Sequence, residues 1–428
     1  MPKQPGTRVT QLDGLRGIAA LVVVACHLLS VFPAIGRVVS DDRSAALSSA
    51  GMWAVFSPLH LLWNGTPAVH VFFVLSGFVL ILPFTKARAG GNWAPYYAKR
   101  LLRLYLPAWA SLAMAVALIA LIPRTASPLQ SPWADMYVTT PNTGQVAKDA
   151  LLFLSASTIN TPLWTLKWEV LFSLLLPLYV LLALRWRRFW LLKLGLVLGL
   201  AGLGAVQHVD WLIYLPIFAV GAILGVERTR IRDLTRVWPR FVWVPVTAVG
   251  LGLANAEWLS PAMPVKGVEA LVTVGATLLV LVFLLTAQAK KLGDTAVVQW
   301  LGRISFSLYL VHLPIILAGV TLLRSVSLPL ALAVSGAASF AAAVLFYRFV
   351  ERPAQRLSVA AGRAVERRVG ARAERSAGPE VAPTTGAPSS SVNDTSDDGG
   401  PSRDHSYGTG STTREHAEPR RPRQAVSR

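Results

Sequence analysis

Arg16 and His27 stand eleven residues apart in one apolar stretch, QLDGLRGIAALVVVACHLL. On a helix that turns ~100° and rises ~1.5 Å per residue, that offset returns to within ~20° of the same face, ~16 Å further along. A guanidinium and a titratable imidazole therefore share one stripe of an apolar helix. Ionisable groups inside a bilayer are costly and mark a pathway or a reaction. Near neutral pH an imidazole takes and returns a proton, and a guanidinium grips phosphate oxygens. Other apolar stretches add Ser76 in AVHVFFVLSGFVL, Glu169 in PLWTLKWEVLFSLLLPL, and Tyr309 and His312 in LGRISFSLYLVHLPI. In AKRLLRLYLPAW, Arg100 and Arg103 fall one turn apart on one face, with Lys99 beside them.

Each of these residues also has a plain structural use. A membrane histidine satisfies a backbone carbonyl, and a Ser-Gly pair lets helices pack closely. Arg16 can snorkel to the inner face with Asp13 a turn away, and a basic helix start binds lipid head groups. An embedded glutamate is harder to place, because it must be paired or neutralised.

The elements that position these groups are membrane helices. The chain has 428 residues, 53% hydrophobic and 15% charged, with a mean hydropathy of +0.49. That leaves too little polar surface for a water-soluble globule. Runs of roughly 16–23 mostly apolar residues recur ten times, near 14–34, 67–85, 101–123, 163–184, 189–206, 210–226, 240–256, 267–287, 301–323 and 328–350. The fold class is thus all-α, a polytopic membrane protein of about ten helices. The first run is long enough to span and lacks a clean cleavage site, so it reads as a retained helix rather than a signal peptide.

The 41 Lys and Arg against 22 Asp and Glu raise the question of nucleic acid. Position answers it, because the basic residues crowd into alternate loops. One such loop holds Arg185, Arg187, Arg188 and Lys193, the next Arg228, Arg230, Arg232, Arg236 and Arg240, and an earlier one Lys86 and Arg88. The intervening loops have Arg37, Arg43, Arg124, Lys148, Lys266 and Arg324. This is the positive-inside pattern, with both termini cytoplasmic, and nucleic acid is excluded as a partner. The one cysteine, Cys26, allows no disulfide within the chain and no cysteine metal site, and no metal is expected. HExxH and phosphate-binding GxxxxGK patterns are absent. Two longer outer segments, about 35–66 and 124–162, carry Trp53, Trp63, Trp133 and Tyr137, as interfacial anchors or as the mouth of a cleft. The chain divides into a membrane domain over 1–357 and a tail over 358–428. The tail is rich in Ala, Gly, Ser, Thr, Pro and Arg and is expected to be disordered and cytoplasmic.

With this topology, counting from the helix ends puts His27 ~10 Å, Glu169 ~9 Å and Ser76 ~13 Å below the outer surface. His312 lies midway along its helix. Four polar groups from separate helices are expected to meet at one level of the outer half.

QLDGLRGIAALVVVACH resembles the Arg-x10-His signature of the acyltransferase-3 family of membrane acyltransferases. AVHVFFVLSGFVL is similar to that family's second-helix motif, and YYAKRLLRLYLPAW to its Arg-x-x-Arg segment. PLWTLKWEVLFSLLLPL, LGRISFSLYLVHLPI and FVERPAQRL resemble, in order, its glutamate helix, its late histidine helix and the end of its domain. The six motifs cover roughly residues 8–357. His70, Thr165, Ser173 and Phe306 depart from common family residues.

The resemblance implies O-acylation of a glycan, lipid-linked sugar or glycosylated metabolite at the cell membrane. The acyl group, acetyl or short-chain, would come from cytoplasmic acyl-coenzyme A, a co-substrate rather than a bound cofactor. On this reading Arg16, Arg100 and Arg103 hold the donor's phosphates. His27 is the catalytic base or first acyl acceptor, oriented by Glu169. Ser76, Tyr309 and His312 line the substrate site. The rival reading is a proton-coupled exporter using the same histidine and glutamate as a relay.

Overall fold

Within lipid a backbone can satisfy its own polar groups only as helix or closed barrel. The computed structural model describes residues 9–40, 47–85, 93–152, 158–259 and 267–376, and among these all regular structure is helical. Ten apolar helices follow one another: α1 (Thr10–Ser30), α2 (Gly65–Ile81), α3 (Ala94–Leu121), α4 (Leu163–Leu184), α5 (Trp190–Gln207), α6 (Asp210–Thr235), α7 (Trp243–Ala254), α8 (Val268–Leu285), α9 (Ala296–Leu323) and α10 (Leu328–Phe346). Nine of the described helices are long and apolar enough to cross a membrane, and the apolar helix containing α7 is shorter. The chain is a multi-pass membrane protein, as its composition requires.

Packing settles how α7 counts. At one end of α1, a methyl group on Gly17 would stand 2.5 Å from the Gly302 amide nitrogen of α9. At the other end His27 meets His312. The two helices therefore run parallel, in close backbone contact of the small-residue kind. Parallel neighbours need an odd number of crossings between them, and α2 to α8 make seven only if α7 crosses. Turns of 3₁₀ helix over Arg240–Val242 and Ala256–Trp258 lengthen it at both ends.

The segment after α3 is fastened to the neighbouring helix ends. Ser131 donates its amide to the Val31 carbonyl (3.0 Å) and its hydroxyl to that of Ser30 (2.5 Å), satisfying acceptors that the end of α1 leaves open. Arg324, just past α9, reaches the Thr125 carbonyl (2.8 Å) and the Gln130 side chain (2.5 Å). Arg124 donates to the carbonyls of Tyr137, Thr158 and Ile159. Burial pushes its guanidinium down to about 10. Trp133 and Trp63 are buried, whereas Trp53 is exposed. Two of the three tryptophans are thus packing residues rather than interfacial anchors.

Regular structure extends past residue 357, where the sequence reading began the tail: after a π-helical turn (Tyr347–Glu351), helix α11 (Arg352–Ser376) runs for 25 residues. Its Ala, Arg and Glu are strong helix formers. Ala354, Ser358 and Gly362 are buried on one face, and α11 lies along the start of α3. A methyl group on Gly362 would come within 3.3 Å of the Pro95 carbonyl oxygen. Low apolar content misreads such a helix, because small residues suffice where backbones approach closely. The rest of the expected tail, 377–428, lies outside the described residues, as do Arg43, Lys86, Arg88 and Lys266.

Candidate active site

The polar residues gather at two levels rather than one. At the upper level His27 Nδ1 lies 2.7 Å from His312 Nε2. The rings are within 7° of parallel with centroids 5.0 Å apart. Two ring radii plus the nitrogen–nitrogen distance account for that separation, so the rings meet edge to edge in one plane. His312 is fully buried, and its Nδ1 lies 2.9 Å from the Leu308 carbonyl one turn earlier. His27 is half-buried, with Trp133 against one face of its ring at 5.4 Å and 26°. Pro314 in α9 has no amide proton, which leaves the Leu310 carbonyl without its helical donor. The buried Asn160 amide takes its place at 3.1 Å and also bonds Ser111 of α3.

The lower level is ionic. Arg100 Nη2 lies 2.5 Å from Glu169 Oε1, and Ser76 donates to the same oxygen at 3.0 Å. Arg100 Nε donates to the Ser173 hydroxyl (3.0 Å), which donates to the Glu169 carbonyl (2.6 Å). A buried carboxylate is tolerable only when paired and hydrogen-bonded in this way. These groups face a cavity of about 130 Å³, lined also by Arg16, Arg103 and Tyr309. Arg16 is shared with a second cavity of about 170 Å³ between α1 and α2. Neither Arg16 nor Arg103 hydrogen-bonds another described residue, and both feel the nearby Glu351 and Glu169 carboxylates.

Tyr309 joins the levels. Its hydroxyl shares a 2.9 Å hydrogen bond with Thr165, it lines the cavity, and its ring centroid is 6.1 Å from that of His312.

The structure therefore brings Arg16, Arg100, Arg103, Ser76, Glu169 and Tyr309 around one cavity and sets His27 with His312 apart. The Glu169 carboxylate, expected to orient His27, bonds Arg100 and Ser76 instead. The reason lies in α3. It begins at Ala94, seven residues before the span read from hydropathy, so Arg100 sits inside the helix bundle rather than at its surface. His312 pairs with His27 and is not among the residues lining this cavity. Sequence reasoning passed over Trp133 as a partner of His27. No local pattern connects the two, because the contact forms only when the segment after α3 folds back over α1. Thr165 and Ser173, noted only as departures from common family residues, both take part in the hydrogen bonding.

The arrangement suits acyl transfer: an imidazole at one end, an arginine-lined cavity at the other, and a hydroxyl-bearing ring between them. Comparison with known proteins agrees. An acyltransferase of Streptomyces mycarofaciens, MdmB, is 26% identical over 343 residues, spanning 73% of this chain and 80% of that protein. No solved structure matches the chain. The family model described as an acyltransferase domain, Acyl_transf_3, matches residues 9–348, which contain both levels of the site. The chain belongs to that family and is an acyl-transferring membrane enzyme.

Proposed function

We propose that this enzyme moves an acetyl or other short acyl group from cytoplasmic acyl-coenzyme A to a hydroxyl of a glycan, lipid-linked sugar or glycosylated metabolite at the outer face of the cell membrane. The observation that carries the reading is the separation of roles along α1. Arg16 faces the ionic cavity with no hydrogen-bond partner among the described residues, and His27 stands eleven residues on, half-buried beneath Trp133. The concentration of Arg and Lys in alternate loops supports cytoplasmic termini and a donor that enters from the Arg16 side.

Arg16 and Arg103 hold the donor's phosphates, and its flexible arm extends past Tyr309 toward His27. Arg100 contributes less than the sequence suggested, because two of its nitrogens already bond Glu169 and Ser173. His27 takes the proton of the acceptor hydroxyl as its oxygen bonds the thioester carbonyl carbon. The carbon–sulfur bond then breaks, and His27 returns the proton to the departing thiolate. The exporter reading is not retained, since its relay needs Glu169 against His27.

The test is transfer of labelled acetyl groups from coenzyme A by membranes containing the wild-type chain, His27→Ala or Arg16→Ala. Loss of transfer in His27→Ala at matched expression is expected. Normal turnover by both variants would overturn the proposal.

A further inference from the structure

We infer that His312 is a positioning residue that fixes which nitrogen of His27 carries the proton, leaving Nε2 as the bare base. The inference rests on the reading of His27 as the transfer base. It extends that reading to a residue that contacts neither cavity.

A carbonyl oxygen only accepts, so the 2.9 Å contact between His312 Nδ1 and the Leu308 carbonyl requires a proton on Nδ1. A neutral imidazole has one such proton, so Nε2 of His312 carries a lone pair. The 2.7 Å contact to His27 Nδ1 also needs a proton, and His27 must supply it. That proton is then fixed on Nδ1, and Nε2 of His27 is bare. A second proton on His312 would place a cation at a fully buried position where no carboxylate among the described residues is bonded to it. The direction of the relay is thus set by the Leu308 backbone carbonyl inside α9, and Trp133 against the ring keeps it in the plane of His312.

This is the task a carboxylate performs behind a catalytic histidine, done with a neutral group. Losing tautomer control behind such a carboxylate costs about 10⁴-fold in turnover. A neutral acceptor stabilises the imidazolium less, so about 100-fold is expected here. No net proton leaves the pair: His27 Nε2 gains the acceptor's proton and gives it up, while both Nδ1 protons stay in place.

The experiment compares the full-length wild-type chain, His312→Gln and His312→Phe. Glutamine keeps an acceptor toward His27 and a donor toward Leu308; phenylalanine fills the space with neither. Two quantities are read: acetyl transfer from acetyl-coenzyme A in membranes, and the rate at which diethyl pyrocarbonate modifies His27, followed by peptide mass spectrometry. The expected result is that His312→Phe lowers kcat about 100-fold with the KM for acetyl-coenzyme A unchanged and slows modification of His27 at least fivefold. His312→Gln should recover most of both. Equal losses in the two variants, or unchanged modification in His312→Phe, would overturn the inference. If the wild type transfers nothing from acetyl-coenzyme A, the proposed function fails at its donor, and the order of modification rates still decides the relay. Should His312→Phe not accumulate, His312→Leu provides the same comparison.

Discussion

The two levels of the site handle polarity in opposite ways. The upper level is built from imidazoles, a tryptophan face and backbone carbonyls, and its hydrogen bonds need no full charge. The lower level holds three arginines and a glutamate, with one arginine neutralised at 2.5 Å and two facing a cavity. In a low-dielectric interior an uncharged base is cheap to keep, and a buried ion is costly unless paired. The contrast teaches a division of labour. Charge is concentrated around the cavity, and the paired imidazoles stand apart from those ions. Tyr309 and Thr165 separate the two levels without adding charge.

The sharpest way to break this comparison is at His27. His27→Ala should lower transfer at least about 10³-fold, in the range of a lost general base and more, while donor binding, measured by equilibrium dialysis with labelled acetyl-coenzyme A, stays within about threefold. Weakened donor binding would merge the two levels into one. Glu169 probes the other side. Glu169→Ala leaves the buried Arg100 unpaired, and breaking a buried pair costs about 3–5 kcal/mol. A lowered unfolding midpoint is expected, with partial recovery in the double variant Arg100→Leu/Glu169→Leu. If Glu169→Gln keeps full thermal stability yet abolishes transfer, the glutamate belongs to the chemistry after all.

The contrast between levels was only partly legible in the sequence. The Arg16–His27 stripe was, because a helical repeat is a local property. The spans were too: the fourth apolar run, 163–184, coincides with α4. Depth was not. Counting residues from apparent span ends put Glu169 level with His27. The true start of α3 instead carries Arg100 inward to claim the carboxylate. The helix α11 was missed because its buried face uses Ala354, Ser358 and Gly362, which hydropathy scores poorly. Pairing His312 with His27 needed the parallel packing of α1 on α9, and no single segment encodes that.

Smaller effects sharpen the lower level. Arg16→Ala and Arg103→Ala each remove a guanidinium that faces the cavity without a hydrogen-bond partner among the described residues. Each should raise the KM for acetyl-coenzyme A about tenfold and leave kcat within about threefold, consistent with about 1.5 kcal/mol for a charge-assisted contact. Arg100→Lys should act differently. Lysine cannot bond Glu169 and Ser173 in a fork, so the loss appears in stability before it appears in KM.

Trp133 provides the mildest test and bears on the upper level alone. Its ring covers one face of His27, and the segment that holds it is fastened by Ser131 to α1 and by Arg324 to Thr125 and Gln130. Because those bonds do not involve the indole, Trp133→Ala should leave the segment in place and open the His27 face to water. A ring stabilised by His312 on its edge but uncovered on its face keeps its tautomer and loses part of its orientation. Turnover should fall about three- to tenfold, with donor KM unchanged, and Trp133→Phe should restore most of it. Water reaching His27 should also raise hydrolysis of acetyl-coenzyme A relative to transfer, a ratio measurable as free thiol released per acyl group moved. If that ratio is unchanged while turnover falls, Trp133 orients the base without shielding it. If both are unchanged, the neutrality of the upper level owes nothing to the outer segment and rests on α1 and α9 alone.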